Sequence, residues 1–294
     1  MDVEHALLSI KDLTISFGDG PPAVDGLSLE IRSGQVLGVA GRSGSGKSLT
    51  ALAAMGLLPP GASVSGSIKF KGRELLGAEE RDRSDLRGSN MTMVFQETTT
   101  ALNPLLTIGK QLVLAIRANV VCTVEQARAR AIDSMHAVLL EDPERLMARY
   151  PHELSGGMCQ RVMIAMALSC GSELLFADEP TTALDVTVQR EVLDIIRTAS
   201  REHDLAVMFI SHDLGVLDEI SDHLVIIRDG KQVEFGTTRD VIDRPVHAYT
   251  RALLASIPKI GGDLVEFPGF EDASDDVPLT VSENSQPRRR WWRS

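Results

Sequence analysis

Hydrophobic and polar positions change their period twice along this chain of 294 residues. From Leu7 to Ser16 and from Leu27 to Ile31 they alternate, as in a strand with one buried face, and Asp19-Gly20-Pro21-Pro22 between them reads as a turn. Val36-Leu37-Gly38-Val39-Ala40 is an unbroken apolar run, the pattern of a strand buried on both faces. Helix-forming residues follow from Ser48 to Met55 and stop at Leu57-Leu58-Pro59-Pro60-Gly61. Ser67 to Lys71 alternates again, and Met91 to Phe95 is a short apolar strand. From about Leu105 to Ser169 the spacing is helical almost throughout, with Val124 to Leu140 setting apolar residues among charges. After Glu173 strand and helix alternate: strand Leu174 to Ala177, helix Val186 to Arg201, strand Ala206 to Ile210, strand Leu224 to Ile227. This order predicts an α/β core with a mainly parallel sheet covered by helices, interrupted by a helical insert at about residues 97–172.

A hydrophobic content of 43% is enough to bury a core, and a formal net charge of -11 argues against a nucleic-acid surface, which needs clustered Lys and Arg. Cys122, Cys159 and Cys170 form no C-x-x-C pair, so neither a disulfide framework nor a zinc site is expected and the compartment reads as reducing. No apolar stretch reaches the roughly 18 residues of a membrane span, and Met1-Asp2-Val3-Glu4-His5 lacks the basic start of a signal peptide. A membrane role would therefore run through a partner. Beyond Pro258 the composition turns acidic and ends in Arg288-Arg289-Arg290-Trp291-Trp292-Arg293; residues 1–258 are expected to form the domain and 259–294 a poorly ordered tail.

Residues Gly41 to Ser48, directly after the apolar strand, fit G-x-x-x-x-G-K-[ST] in full. Such a loop turns backbone N–H groups inward at a helix start, where the helix dipole adds to their attraction for phosphate. Gly41, Ser43, Gly44, Ser45, Gly46, Lys47 and Ser48 are thus expected on a nucleoside triphosphate, with Lys47 on the β- and γ-phosphates and Ser48 also on Mg2+. Asp178 ends a buried strand and is expected on the metal side; Glu179 follows it, placed to polarise an attacking water. His212 and Gln96 each follow a further strand. His212 can reach the γ-phosphate or the water, and Gln96 the metal or the water. Ser155 can cap the helix that begins at Gly156 and Gly157, leaving a second open anion-binding helix end. One chain cannot easily bring both anion sites to the same γ-phosphate; two chains can.

Together these residues resemble the ATP-binding subunit of an ABC transporter over nearly all of residues 7–258: Walker A at Gly41 to Ser48, the Q-loop at Gln96, the signature at Leu154 to Gln160, Walker B at Leu174 to Asp178 with catalytic Glu179, the D-loop Ala183-Leu184-Asp185, and the switch His212. The resemblance implies a P-loop NTPase core with an N-terminal antiparallel β subdomain and a helical signature subdomain. It also implies that Phe17 stacks on adenine and that Asp185, Ser155, Gly156 and Gly157 take part in the nucleotide sandwich. Thr100 to Gly109, Tyr150 to Met158 and His247 to Leu254 look like the dipeptide, oligopeptide and nickel importers. The implied assembly is an ATP- and Mg2+-dependent ATPase on the cytoplasmic face of an inner membrane. Its partners would be two permease subunits, a second ATPase subunit of the same or a related kind, and, indirectly, an extracytoplasmic solute-binding protein for peptides, nickel or similar solutes.

Three positions depart from that group. Cys159 replaces its usual Arg at a place expected to lie near the partner chain's nucleotide, Glu97-Thr98 replaces Asp-Pro after the Q-loop, and no cysteine follows Cys170, so no iron–sulfur cluster is predicted. An ABC-type ATPase serving DNA repair, translation or enzyme assembly is the competing reading, disfavoured by the charge and by the absence of visible zinc inserts or long coiled coils; a cassette that only binds ATP is a third, disfavoured because Lys47, Asp178, Glu179 and His212 are all present.

Overall fold

The computed structural model describes residues 6–95, 101–182 and 184–256. Two sheets organise it. The first is antiparallel, in the order β2-β1-β4-β5, from β1 (Leu8–Phe17), β2 (Val24–Ile31), β4 (Ala62–Phe70) and β5 (Arg73–Glu74). The second runs β10-β9-β3-β8-β7-β6, from β3 (Val36–Ala40), β6 (Met91–Val94), β7 (Leu174–Asp178), β8 (Ala206–Ile210), β9 (His223–Arg228) and β10 (Lys231–Thr237). All its pairings are parallel except β9 with β10. The expected mainly parallel α/β core is therefore present.

The period of two along these strands sorts their side chains onto two faces. Leu37, Val39, Leu174, Phe176, Met208 and Ile210 join the cluster shared with the antiparallel sheet and the helix Lys47–Met55. Leu175, Ala177, Val207, Phe209, Leu224 and Ile226 turn the other way, into the cluster shared with the helices Ile108–Asn119, Val124–Ala137 and Gly156–Ser169. Phe176 and Phe209 are fully buried on opposite faces, each contributing about 1.5–3 kcal/mol of apolar burial. The parallel sheet is thus the wall between two cores.

Register aligns the strand ends. Val39 of β3 pairs with Ile210 of β8, which pairs with Asp178 of β7, so the residues that follow all three strands emerge at one edge. Brief elements escaped the sequence reading, among them β10 and the helices Leu214–Ile220, Thr238–Asp243 and Ala248–Ala255. A helix of two turns is shorter than the window in which helical spacing becomes distinct. Strand β4 begins at Ala62 rather than Ser67 because its exposed polar half pairs with β1 from Thr14 to Phe17. Among the described residues no helix is long and apolar enough to cross a membrane.

Candidate active site

The phosphate loop joins β3 to the helix Lys47–Met55, and its glycines are there for space. A Cβ at Gly41 would lie 2.2 Å from the Ile227 carbonyl oxygen, and one at Gly46 would lie 2.5 Å from that of Ala23, with Gly46 at φ +96°. Backbone atoms cannot give way as a flexible side chain does, so neither position takes a side chain without moving the loop. Gly46 is also the N-cap, and it offers no side-chain acceptor to the helix, whose first turn carries no acidic residue. The first-turn N–H groups have no intrahelical partner and remain open to an anion.

Lys47 is 7% exposed and donates from Nζ to the carbonyls of Gly41 at 2.8 Å and Arg42 at 2.9 Å. Burial lowers its pKa, opposed by the nearby charges of Glu179 and Asp178. Ser43 and Gly44 stand exposed at the tip. Ser45 turns inward instead, its buried hydroxyl without a hydrogen-bond partner among the described residues and its N–H donating to the Arg42 carbonyl. Its hydroxyl is therefore aimed into the protein, away from the exposed loop tip.

Asp178 ends β7 and is 6% exposed; the Ser48 hydroxyl donates to its Oδ1 at 3.0 Å. Burial raises the Asp178 pKa against the Ser48 hydrogen bond, with Glu179 adding to the rise and Lys47 opposing it. Among the described residues no group of three or more His, Cys, Asp and Glu could hold a metal. Mg2+ bound with a nucleotide needs only one or two protein oxygens beside phosphate and water. The hydroxyl of Ser48 and the carboxylate of Asp178, both hard oxygen donors already within hydrogen-bond distance of each other, fit that requirement.

Glu179 sits at φ +50°, a left-handed backbone that costs a non-glycine residue about 1–3 kcal/mol. Several bonds hold it there. Its N–H donates to the Ile210 carbonyl at 3.0 Å, and its Oε2 accepts from the Thr182 hydroxyl at 2.6 Å. Its Oε1 accepts from the His212 backbone N–H at 3.0 Å and lies 2.8 Å from His212 Nδ1. An ionised carboxylate only accepts, which puts the ring proton on Nδ1. The Glu179 side chain is 11% exposed and that of His212 60%.

The signature helix Gly156–Ser169 begins as expected. Ser155 Oγ accepts from the Met158 N–H at 3.2 Å, there is no acidic residue in the first turn, and Ser155 and Gly156 are exposed. Cys159 corrects the sequence reading. It is 3% exposed, packed in the helical core with its Sγ 3.5 Å from the Pro151 carbonyl, so it faces inward and not toward a partner's nucleotide. Phe17 ends β1 with 37% of its surface exposed. Asp185 caps the helix Val186–Glu202, its Oδ1 accepting from the N–H groups of Thr187 and Val188 at 3.0 Å each. Gln96, Glu97, Thr98 and Ala183 lie outside the described residues.

Two contacts at the candidate site have no counterpart in the sequence reading. Thr182 holds the second carboxylate oxygen of Glu179. Gln160, 1% exposed, donates its side-chain amide to the Pro180 carbonyl, joining the signature helix to the residue after Glu179. A buried glutamine on an otherwise apolar helical face was the available signal.

The ABC transporter family model matches residues 24–182, and that of the oligopeptide/dipeptide transporter C-terminal region matches residues 233–277. The chain is 42% identical to the oligopeptide transport ATP-binding protein OppD of Salmonella typhimurium over 90% of its own length and 81% of the relative's. It is 39% identical to the dipeptide transport ATP-binding protein DppD of Escherichia coli, covering 93% and 86%. A solved ATP-binding cassette, MJ0796, in a dimeric post-hydrolysis state bound to ADP and Pi, superposes with a TM-score of 0.71 at 25% identity, covering 79% of this chain and 99% of that one.

Proposed function

The chain belongs to the ABC transporter family of ATPases, and on that premise we propose that it energises a peptide importer by closing with a second ATPase subunit around Mg·ATP. In this reading the phosphate loop binds the triphosphate through open N–H groups and Lys47, while Phe17 offers its exposed ring to the adenine. Ser48 and Asp178 would hold Mg2+, which when bound neutralises charge on the phosphates. Glu179 orients a water for in-line attack and accepts its proton, and His212 keeps the carboxylate in place through Nδ1. Gln96 belongs to the same proposal, as the residue that would bring its amide to the metal or the water. Asp185, capping its helix beside the Glu179 loop, would face the partner subunit.

The second half of each pocket would come from the other subunit's Ser155-Gly156-Gly157 helix end, of which Ser155 and Gly156 stand exposed in this chain while Gly157 is half-buried beside Leu184. Because phosphoryl transfer depends on positioning and charge stabilisation, that helix end governs rate as well as affinity. The helical block also exposes Leu105, Leu114, Val121 and Val124, apolar residues suited to docking on permease subunits at the cytoplasmic face of an inner membrane. A solute-binding protein would act from the far side.

The observation that carries the reading is the fixed Glu179 carboxylate at the sheet edge it shares with Lys47, Ser48 and Asp178. The peptide class is supported by the relatives' names and by the C-terminal match. The test is co-purification with two membrane-spanning subunits and ATP-dependent uptake of labelled di- and oligopeptides in proteoliposomes. Retained ATPase activity without such partners or uptake would favour a non-transport complex.

A further inference from the structure

The matched C-terminal region lies far along the chain from the phosphate loop, yet its helix reaches that loop. The helix Ala248–Ala255 is capped by His247, whose Nδ1 accepts from the Tyr249 N–H at 3.0 Å. Glu234 on β10 seats this turn, accepting from the N–H groups of Val246 at 2.7 Å and His247 at 3.1 Å. Tyr249 is thereby pressed inward to 2% exposure, with the Arg228 guanidinium over its ring at 5.4 Å. Its hydroxyl meets the loop: the Arg42 backbone N–H donates to Tyr249 Oη at 3.3 Å.

We propose that Tyr249 is a positioning residue for the phosphate loop, through which the C-terminal region sets the affinity of the chain for ATP. The peptide flanking Arg42 is gripped from two sides. Tyr249 takes its N–H, and its carbonyl accepts from Lys47 Nζ and from the Ser45 N–H. One residue earlier, Gly41 is packed against the Ile227 carbonyl with no room for a Cβ. The entrance of the loop is therefore anchored to the last third of the chain at two successive residues, while Arg42, Ser43 and Gly44 face solvent. When Lys47 turns toward a triphosphate it leaves the Gly41 and Arg42 carbonyls, and the Tyr249 bond remains to hold the entrance. A loop ordered in advance costs less to order on binding. This also gives a physical role to the His247-to-Leu254 segment, which lies outside the ATPase match at residues 24–182 and inside the C-terminal match at 233–277.

The inference rests on the ATPase reading of the loop, and Tyr249→Phe in the full chain separates the two. Phenylalanine keeps the ring and its packing under Arg228 and removes only the hydroxyl. Titration with a fluorescent ATP analogue should give a Kd raised about three- to tenfold, because ordering the released loop entrance then falls on the binding step. The KM for ATP should rise with it, kcat at saturating ATP should stay within twofold, and nucleotide-free melting should be little changed. A Kd and KM within twofold of wild type, or lower, overturn the inference even if melting falls, because the hydroxyl would then serve the fold alone. Lower kcat at unchanged KM overturns it as well. A wild-type chain that binds no ATP would instead defeat the reading of the loop itself.

Discussion

His212 Nδ1 lies 2.8 Å from Glu179 Oε1, and the same oxygen accepts the His212 backbone N–H at 3.0 Å, so one residue holds the carboxylate from both ring and main chain. This pairing spans β7 and β8, which are in register up to Asp178 and Ile210. Glu179→Gln preserves shape and removes the basic carboxylate. Phosphate release should fall by about two to four orders of magnitude with ATP binding retained. His212→Ala should reduce it less, since the Thr182 hydroxyl and the backbone bonds still hold Glu179. Normal turnover in Glu179→Gln would remove the carboxylate from the mechanism.

Gln160 reaches the Pro180 carbonyl from inside the signature helix, and its neighbour Arg161 pairs with Glu191 at 2.8 Å in the helix that follows the Asp185 cap. The signature end and the Glu179 loop are therefore tied together within this one chain. Gln160→Leu leaves the carbonyl without this donor and should cost about 1–3 kcal/mol in stability by denaturant melts. It should also lower turnover without weakening ATP binding, because the phosphate loop is untouched. Equal stability and turnover would show that the bond carries no weight.

Proton linkage provides a third test. Burial raises the Asp178 pKa, so the folded apo protein holds that proton at pH values where the unfolded chain has lost it. The resulting stability is present below the ordinary carboxylate value and is lost as pH rises through the raised one. If Asp178 holds Mg2+ as proposed, the bound form requires the anion, and binding in this window should release protons and weaken as pH falls. Lys47 has the opposite sign: burial lowers its pKa, and a bound triphosphate should make it take up protons under alkaline conditions. Calorimetry in buffers of different ionisation enthalpy should find release on the acid side and uptake on the alkaline side.

The cysteines test the inward placement of position 159. Burial raises the thiol pKa of Cys159 and of Cys170, and both are buried, whereas Cys122 is partly exposed. A thiol reagent at neutral pH should modify Cys122 first, and the other two only on unfolding. Rapid labelling of Cys159 in the native chain would contradict its place in the core.

Much of the site could be read from sequence because its residues follow strands whose apolar runs are unambiguous. Val36 to Ala40, Leu174 to Ala177 and Ala206 to Ile210 place Gly41, Glu179 and His212 before any contact is known. What could not be read depends on facing across the fold. Nothing adjacent to Tyr249 in sequence announces Arg42, 207 residues away, and nothing near Gln160 announces the Pro180 carbonyl. Cys159 was misplaced for a related reason. Its motif suggests the exposed helix end, but the thiol packs into the helical core beside the Pro151 carbonyl.

The central claim is that each nucleotide needs a second chain's signature helix end. The direct measurement is steady-state ATP hydrolysis by the assembled transporter with Ser155→Arg in this subunit, together with photolabelling of its own phosphate loop by an azido-ATP. Loss of turnover by at least about a hundredfold, with labelling of that loop intact, is the predicted result. Full turnover with Ser155 replaced would contradict the shared site.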